Sequence, residues 1–348
     1  MLEANPRPGQ VTSSRNSQVL HSGLYYPPGS LKAELSVAGN HDLPRWCEAH
    51  GVPFRRTGKL IVATCEEETP ELERLALGAR SNGVLGVELV DGRGALDLEP
   101  SLRAVAGLWV PTAGILDARA LMDSLARAAI DRGVTLALRH RVTALDREPD
   151  GWSVEVTAGV DRFRLHAERV INAAGLNADS IAALAGIDVD AAGYRQHWVK
   201  GRYARLLSRR GLKRLVYPVP PVGLSGLGVH LTIGLDGDAR LGPDVVALES
   251  RVEDYTVDEG CLGAFFEAAR GYLPSLDRDE LVPDTAGIRP KLAPPGGPWR
   301  DFVIAEESAR GCPGLISLVG IESPGLTCSL ELGARVEALA FGSRSTTR

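Results

Sequence analysis

The segment Arg169 to Asp179, RVINAAGLNAD, constrains this chain more than any other. A β-branched stretch runs into Ala173-Ala174-Gly175 and then into a helical pattern starting at Ala178. A strand feeding a helix through small residues is the joint of an α/β fold. Small side chains there let backbone approach a bulky ligand, and the free N–H groups of the helix face it. The same residues also make an ordinary tight turn, so the segment alone leaves both readings open. Val319 to Thr327, VGIESPGLT, repeats the style. Gly320 and Gly325 permit close approach, and Leu326 and Thr327 are expected to begin a helix running to Phe341. Paired, the two joints suggest two walls of one ligand site.

The rest of the pattern alternates helical and extended segments. Ser30 to His50 reads as helix, with Gly39 and Pro44 expected to interrupt it. Lys59 to Thr64 reads as a strand, Thr69 to Asn82 as a charged helix, and Asp117 as the N-cap of a helix closed by Gly133. Strands are expected at 134–138 and 142–147, and a hairpin pairs 152–156 with 162–165. Between Tyr194 and Gly242 strands dominate, at 198–206, 214–219 and 229–235, and a last one runs from Leu315 to Ile321. The Pro/Gly-rich runs at 27–29, 218–228 and 294–298 read as loops. The class is α/β, α+β overall, with one α/β domain interleaved with one built on an antiparallel sheet.

Composition removes several function classes. The 348 residues are 44% hydrophobic and 24% charged, which excludes disorder and a disulfide-stapled miniprotein. A net charge of -5 carries no basic surplus for nucleic acid, so any anionic substrate must be held by local cations. The five cysteines (Cys47, Cys65, Cys261, Cys312, Cys328) are scattered without CxxC spacing, and read as reduced core thiols. There is no GxxxxGK[ST], HExxH, GxSxG or EF-hand loop, leaving ATPase, zincin, α/β-hydrolase and calcium-sensor readings without support. The N-terminal stretch has no apolar core of a secretory signal, and no apolar run approaches the roughly 20 residues of a membrane span. The expectation is a cytoplasmic protein, with peripheral contact at the inner face of the membrane left open.

Three further segments hold chemistry-bearing side chains. Thr12 to Lys32 packs hydroxyls, Arg15, Asn16, His21 and two tyrosines into a loop without periodicity. Such loops are often functional, although a lone His21 is also commonly just a hydrogen-bonded histidine. In Thr285 to Leu292, TAGIRPKL, the guanidinium of Arg289 leaves a stiffened backbone and suits a carboxylate; a surface ion pair is the alternative. In Gly228 to Thr232, alternation puts His230 and Thr232 on one face, which makes His230 a candidate acid or base if that face lines a cavity.

The segments SSRNSQVLHSGLYYPPGSLKA, GVPFRRTGKLIVAT, RVINAAGLNAD, YPVPP followed by GVHLTIGLDG, TAGIRPKL and GIESPGLT stand in one order from Ser13 to Thr327. This array resembles the L-2-hydroxyglutarate dehydrogenase family, within the D-amino-acid-oxidase-like group of FAD-dependent oxidoreductases, and covers nearly the whole chain. The resemblance implies an FAD/NAD(P)-binding Rossmann-like domain from residues 1–45, 115–190 and 300–342. It implies a substrate domain from residues 46–114 and 191–299, with 343–348 as a tail. The implied reaction is oxidation of L-2-hydroxyglutarate to 2-oxoglutarate, hydride passing from C2 to flavin N5. A quinone, an electron-transfer protein or oxygen would accept the electrons. Glu3, Thr12, Ser13, Ser14, Arg15 and Asn16 would lie along FAD, and Val142 would meet the adenine through its backbone. Ala174, Gly175 and Asn177 would line the dinucleotide, with Gly320, Ser323, Pro324, Gly325, Leu326 and Thr327 reaching the ribityl chain and the ring. His21, then His230, would take the hydroxyl proton, and Arg289, with Lys291 or Tyr217, would hold the small dicarboxylate.

Set against the family pattern, this chain opens at the end of the second strand, with Glu3 at the acidic position. The preceding strand, GxGxxG turn and helix, about 30 residues of a βαβ unit, are not in it. The resemblance therefore implies an N-terminally truncated cofactor domain without the usual pyrophosphate cradle. Two other readings stay beside the main one: a related FAD-dependent amine or 2-hydroxy-acid oxidase, and an inactive flavoprotein remnant.

Overall fold

The computed structural model describes residues 1–208, 211–220 and 228–342. The tail 343–348 and most of the loop at 218–228 lie outside the described residues. Two structural regions organise the rest. In the first, Val170–Asn172 pairs in parallel with Cys312–Val319, which pairs antiparallel with Val303–Glu307. Beside them lie an antiparallel meander of Arg141–Glu148, Gly151–Ala158 and Asp161–Ala167, and a parallel pair of Leu2–Glu3 with Ala137–Leu138. The second region is a nine-stranded, mostly antiparallel sheet containing His197–Leu206, Leu281–Lys291, Leu215–Pro218 and Lys59–Ala63. Leu60, Ile61 and Val62 are wholly buried in its core, each worth about 1.5–3 kcal/mol of burial.

Local chemistry explains most element ends. The Ser30 hydroxyl accepts from the N–H of Ala33 at the start of the helix Leu31–His50, and Gly51, at φ +66°, closes it. Asp117 caps the helix Ala118–Asp131 by accepting from the N–H of Ala120, and Gly133 ends that helix at φ +87°.

Several expectations are corrected. Leu31–His50 is one unbroken helix of 20 residues with Pro44 inside it. Leu43, Pro44 and Cys47 are buried there, and that packing outweighs the missing backbone hydrogen bond. Gly39 does not break the helix either: a Cβ there would overlap the carbonyl oxygen of Thr327, so the missing side chain lets helix and loop touch. The strand expected at 134–138 shortens to Ala137–Leu138, that at 229–235 to Leu231–Ile233, and the last strand runs over Cys312–Val319. The C-terminal helix is Ser329–Phe341, and residues 323–328 form turns ahead of it. Four cysteines are buried as expected, but Cys65 is exposed.

Candidate functional site

The two small-residue joints leave the C-terminal ends of neighbouring parallel strands, where Asn172 pairs with Ser317. In a parallel sheet the loops at that edge are where ligands bind. Ala173, Ala174 and Asn177 are exposed, and beside Gly175, at φ +58°, a Cβ would meet only open space. Gln196 ties the joints together. Its Nε2 donates to the carbonyls of Gly175 (3.0 Å) and Leu176 (3.1 Å), and its Oε1 accepts from the N–H of Gly320 (2.8 Å). Sequence reasoning missed this residue, because a glutamine just before a strand carries no signal of its own.

The Thr12–Ser14 turn and Arg15 close against the nine-stranded sheet. Thr12 Oγ1 donates to the carbonyl of Ile288 at 2.9 Å, and a side chain on Gly287 would overlap the backbone of Arg15. Arg15 lies over the Tyr255 ring at 3.8 Å, while its Nε is buried without a partner among the described residues. Asn16 Nδ2 donates to the carbonyls of Thr12 and Ser13, and Ser14 Oγ to that of Val11. Glu3 Oε1 accepts from the backbone and side-chain N–H groups of Asn5. Leu2 and Val142 share one core with Val170 and Ala178, so the N-terminal strand, the meander and the first joint meet.

His21 stands where the N-terminal loop meets the second joint. Its backbone N–H donates to Thr327 Oγ1 at 3.1 Å, its carbonyl accepts from Asn40 Nδ2 at 2.8 Å, and its Nε2 lies 3.0 Å from Ser323 Oγ. Residues some 300 positions apart in sequence are thereby held in contact. Burial, then the nearby Lys59, push the imidazole down to about 3, so in the free protein it stays neutral and holds a proton only weakly; an anion bound beside it would raise its basicity.

Beside Ser323, the Glu322 side chain is 9% exposed and receives Lys32 Nζ at 2.9 Å and Lys291 Nζ at 3.0 Å. Burial alone would raise its carboxyl, but Lys32, Lys291 and Arg289 hold it below the ordinary value. Lys291 thus faces Glu322. Arg289 donates through one terminal nitrogen to the Asp244 carbonyl at 3.1 Å, and its buried Nε has no partner among the described residues.

Tyr217 stacks on His230 with centroids 3.5 Å apart and on Tyr25 at 6.3 Å. Lys59 Nζ lies over the same ring at 4.0 Å, and two groups that close must take opposite faces, so Tyr217 is sandwiched between Lys59 and His230. His230 is buried against an aromatic ring, an arrangement the alternation pattern did not disclose. Lys59, buried at 1% exposure, was also missed, because KLIVAT reads as an apolar strand whose first residue would be an exposed end. The only available signal was a lysine at the head of an otherwise apolar run.

The joints fit a flavin dinucleotide: an open small-residue cradle, an unpartnered buried guanidinium nitrogen at Arg15, and a loop held by Thr327 beside His21. Comparisons with known proteins agree. The family described as DAO, FAD dependent oxidoreductase, matches residues 1–339. The mitochondrial L-2-hydroxyglutarate dehydrogenase of Arabidopsis thaliana is 36% identical, over 97% of this chain and 77% of that protein. The L-2-hydroxyglutarate dehydrogenase of Indibacter alkaliphilus is 28% identical, over 97% and 90%. Among solved structures, reduced L-alpha-glycerophosphate oxidase from Mycoplasma pneumoniae with FAD bound has a TM-score of 0.86 at 26% identity, covering 97% of this chain and 87% of that one. Glycine oxidase from Geobacillus kaustophilus, at TM-score 0.78 and 22% identity over 99% and 88%, shares the fold. Among the described residues no helix is long and apolar enough to cross a membrane. The chain belongs to the DAO family of FAD-dependent oxidoreductases, and FAD is its cofactor.

Proposed function

We propose that this protein oxidises L-2-hydroxyglutarate to 2-oxoglutarate, residues 1–45, 115–190 and 300–342 holding FAD and residues 46–114 and 191–299 the substrate. One observation carries the reading: a neutral histidine stands beside a surplus of buried and half-buried cations. Among the described residues Lys32, Lys291 and Arg289 face a single carboxylate, Glu322, and Lys59 has none. A dicarboxylate restores the balance that the protein leaves open. Arg289 turns its unpartnered Nε to one carboxylate, and orientation by such a clamp is worth about 100-fold in rate. His21 accepts the hydroxyl proton, its ring set by the contact with Ser323. FAD held by these residues would supply the electron sink for the hydride that leaves C2 as the carbonyl forms. The electrons then pass to a quinone, an electron-transfer protein or oxygen.

The test is a visible spectrum of the purified chain with FAD, before and after anaerobic substrate. Bleaching by L-2-hydroxyglutarate and not by its D enantiomer is expected, with His21→Asn slowing it by about 100-fold or more. Bleaching by glycine or glycerol 3-phosphate, with none by 2-hydroxyglutarate, would overturn the assignment.

A further inference from the structure

Lys59 sits at the head of a strand whose five residues are all buried, paired to Leu215 on one side and Val110 on the other. Its Nζ meets the rings of Tyr217 (4.0 Å) and Tyr25 (5.5 Å), and among the described residues no hydrogen-bond acceptor or carboxylate reaches it. The titratable groups facing it are His21, Tyr25 and Tyr217, with His230 behind the Tyr217 ring; none is an anion at neutral pH. A buried ammonium left with aromatic faces alone recovers only part of its lost hydration. Methionine would fill the same space without that cost, so packing gives no reason for a lysine here. The hydroxyl of Tyr25 is likewise buried without a partner among the described residues. The two side chains that carry these donors both pack on the Tyr217 ring, and Lys59 is close enough to His21 for its charge to act on the imidazole.

We propose that Lys59 is the substrate's second anchor: its Nζ, with the Tyr25 hydroxyl, receives one carboxylate of the bound dicarboxylate, while Arg289 holds the other. The inference rests on the reading of an anionic hydroxy acid given above. It gives the site a charge logic. Burial disfavours the Lys59 proton and lowers the ammonium to about 7. An arriving carboxylate draws the proton back, and the resulting pair leaves His21 the neutral group beside the substrate hydroxyl. Above neutral pH, binding therefore takes up a proton at Lys59; below it, the proton is already present.

Calorimetric titration of the full chain with 2-oxoglutarate, the unreactive product, tests this in buffers of different ionisation heat. The wild type is expected to take up close to one proton per ligand about a unit above neutrality and none about a unit below it. Lys59→Met is expected to weaken binding at least about 30-fold at neutral pH and to abolish the uptake, with its circular dichroism unchanged. Binding by Lys59→Met within about threefold of wild type, or wild-type binding without uptake, overturns the anchor. Should the methionine variant not fold, the wild-type uptake alone decides. Glycerol 3-phosphate and glycine are titrated in parallel. If one of them binds in place of 2-oxoglutarate with the same Lys59 dependence, the substrate assignment falls and the anchor stands. If none of the three binds, both fall.

Discussion

Replacing Glu322 by Gln puts the electrostatics of the site to a direct test. The carboxylate is 9% exposed, Lys32 is 5% exposed and Lys291 30% exposed, with N–O distances of 2.9 and 3.0 Å. Glutamine keeps the shape and removes the charge. Lys291 turns to water, but Lys32 is left as a buried ammonium with a neutral amide oxygen and the rings of Phe302 at 5.1 Å and Trp299 at 5.8 Å in place of its anion. Breaking a buried pair from one side costs about 3–5 kcal/mol. The rings return about 1 kcal/mol of that, leaving an expected loss near 3 kcal/mol. The pH dependence has a defined sign. The folded carboxyl is depressed, so its contribution is present above the unfolded value of 4.5 and is lost as pH falls through the folded one. Urea denaturation should therefore separate wild type and Glu322→Gln widely at neutral pH and bring them together only in acid, below the ordinary carboxylate range. The double variant Glu322→Gln, Lys32→Met should recover most of the loss, since the stranded charge is gone. A neutral-pH loss below about 1 kcal/mol, or a loss equal at both pH values, would show that the lysines are hydrated and that the buried cluster is misdescribed.

Three other outcomes follow from the same contacts. Arg289→Lys should raise KM for the dicarboxylate at least about tenfold, because a single ammonium cannot reproduce the fork; an unchanged KM removes Arg289 from the substrate site. Gly39→Ala forces a methyl into the Thr327 carbonyl, where only backbone can yield, and should cost about 1–3 kcal/mol in denaturation with slower flavin bleaching; a neutral effect would mean that the helix and the loop do not touch. Lys59→Met should be more stable than wild type at and below neutral pH. Protonation of the buried amine costs the native state up to about 4–5 kcal/mol there, and the gap should close as pH rises from about 7 toward 10.5; a gap independent of pH would place the ammonium in water.

The parts of this site that were legible in sequence are those that need a residue type locally. Small residues at 173–175 and 320–325 are required wherever a strand end must stay open to a large ligand, and the structure leaves the first of these joints uncovered. Asp117 and Gly133 mark helix ends by chemistry confined to one turn. The features that escaped are set by distant partners. Pro44 and Gly39 disobey local helix rules because the helix is judged by what it packs on, and Thr327 lies far from both in sequence. Gln196 and Glu322 matter only through the groups they join, Gly175 to Gly320 and Lys32 to Lys291. Lys59 is the sharpest case. Periodicity places it correctly on a strand, yet nothing in the string KLIVAT tells a solvated lysine at a strand end from one sealed under tyrosines. The distinction is energetic, because only burial turns an ordinary charge into one that must find an anion. Local pattern thus located the scaffold of the site, whereas its charges take their character from neighbours that only the folded chain brings together.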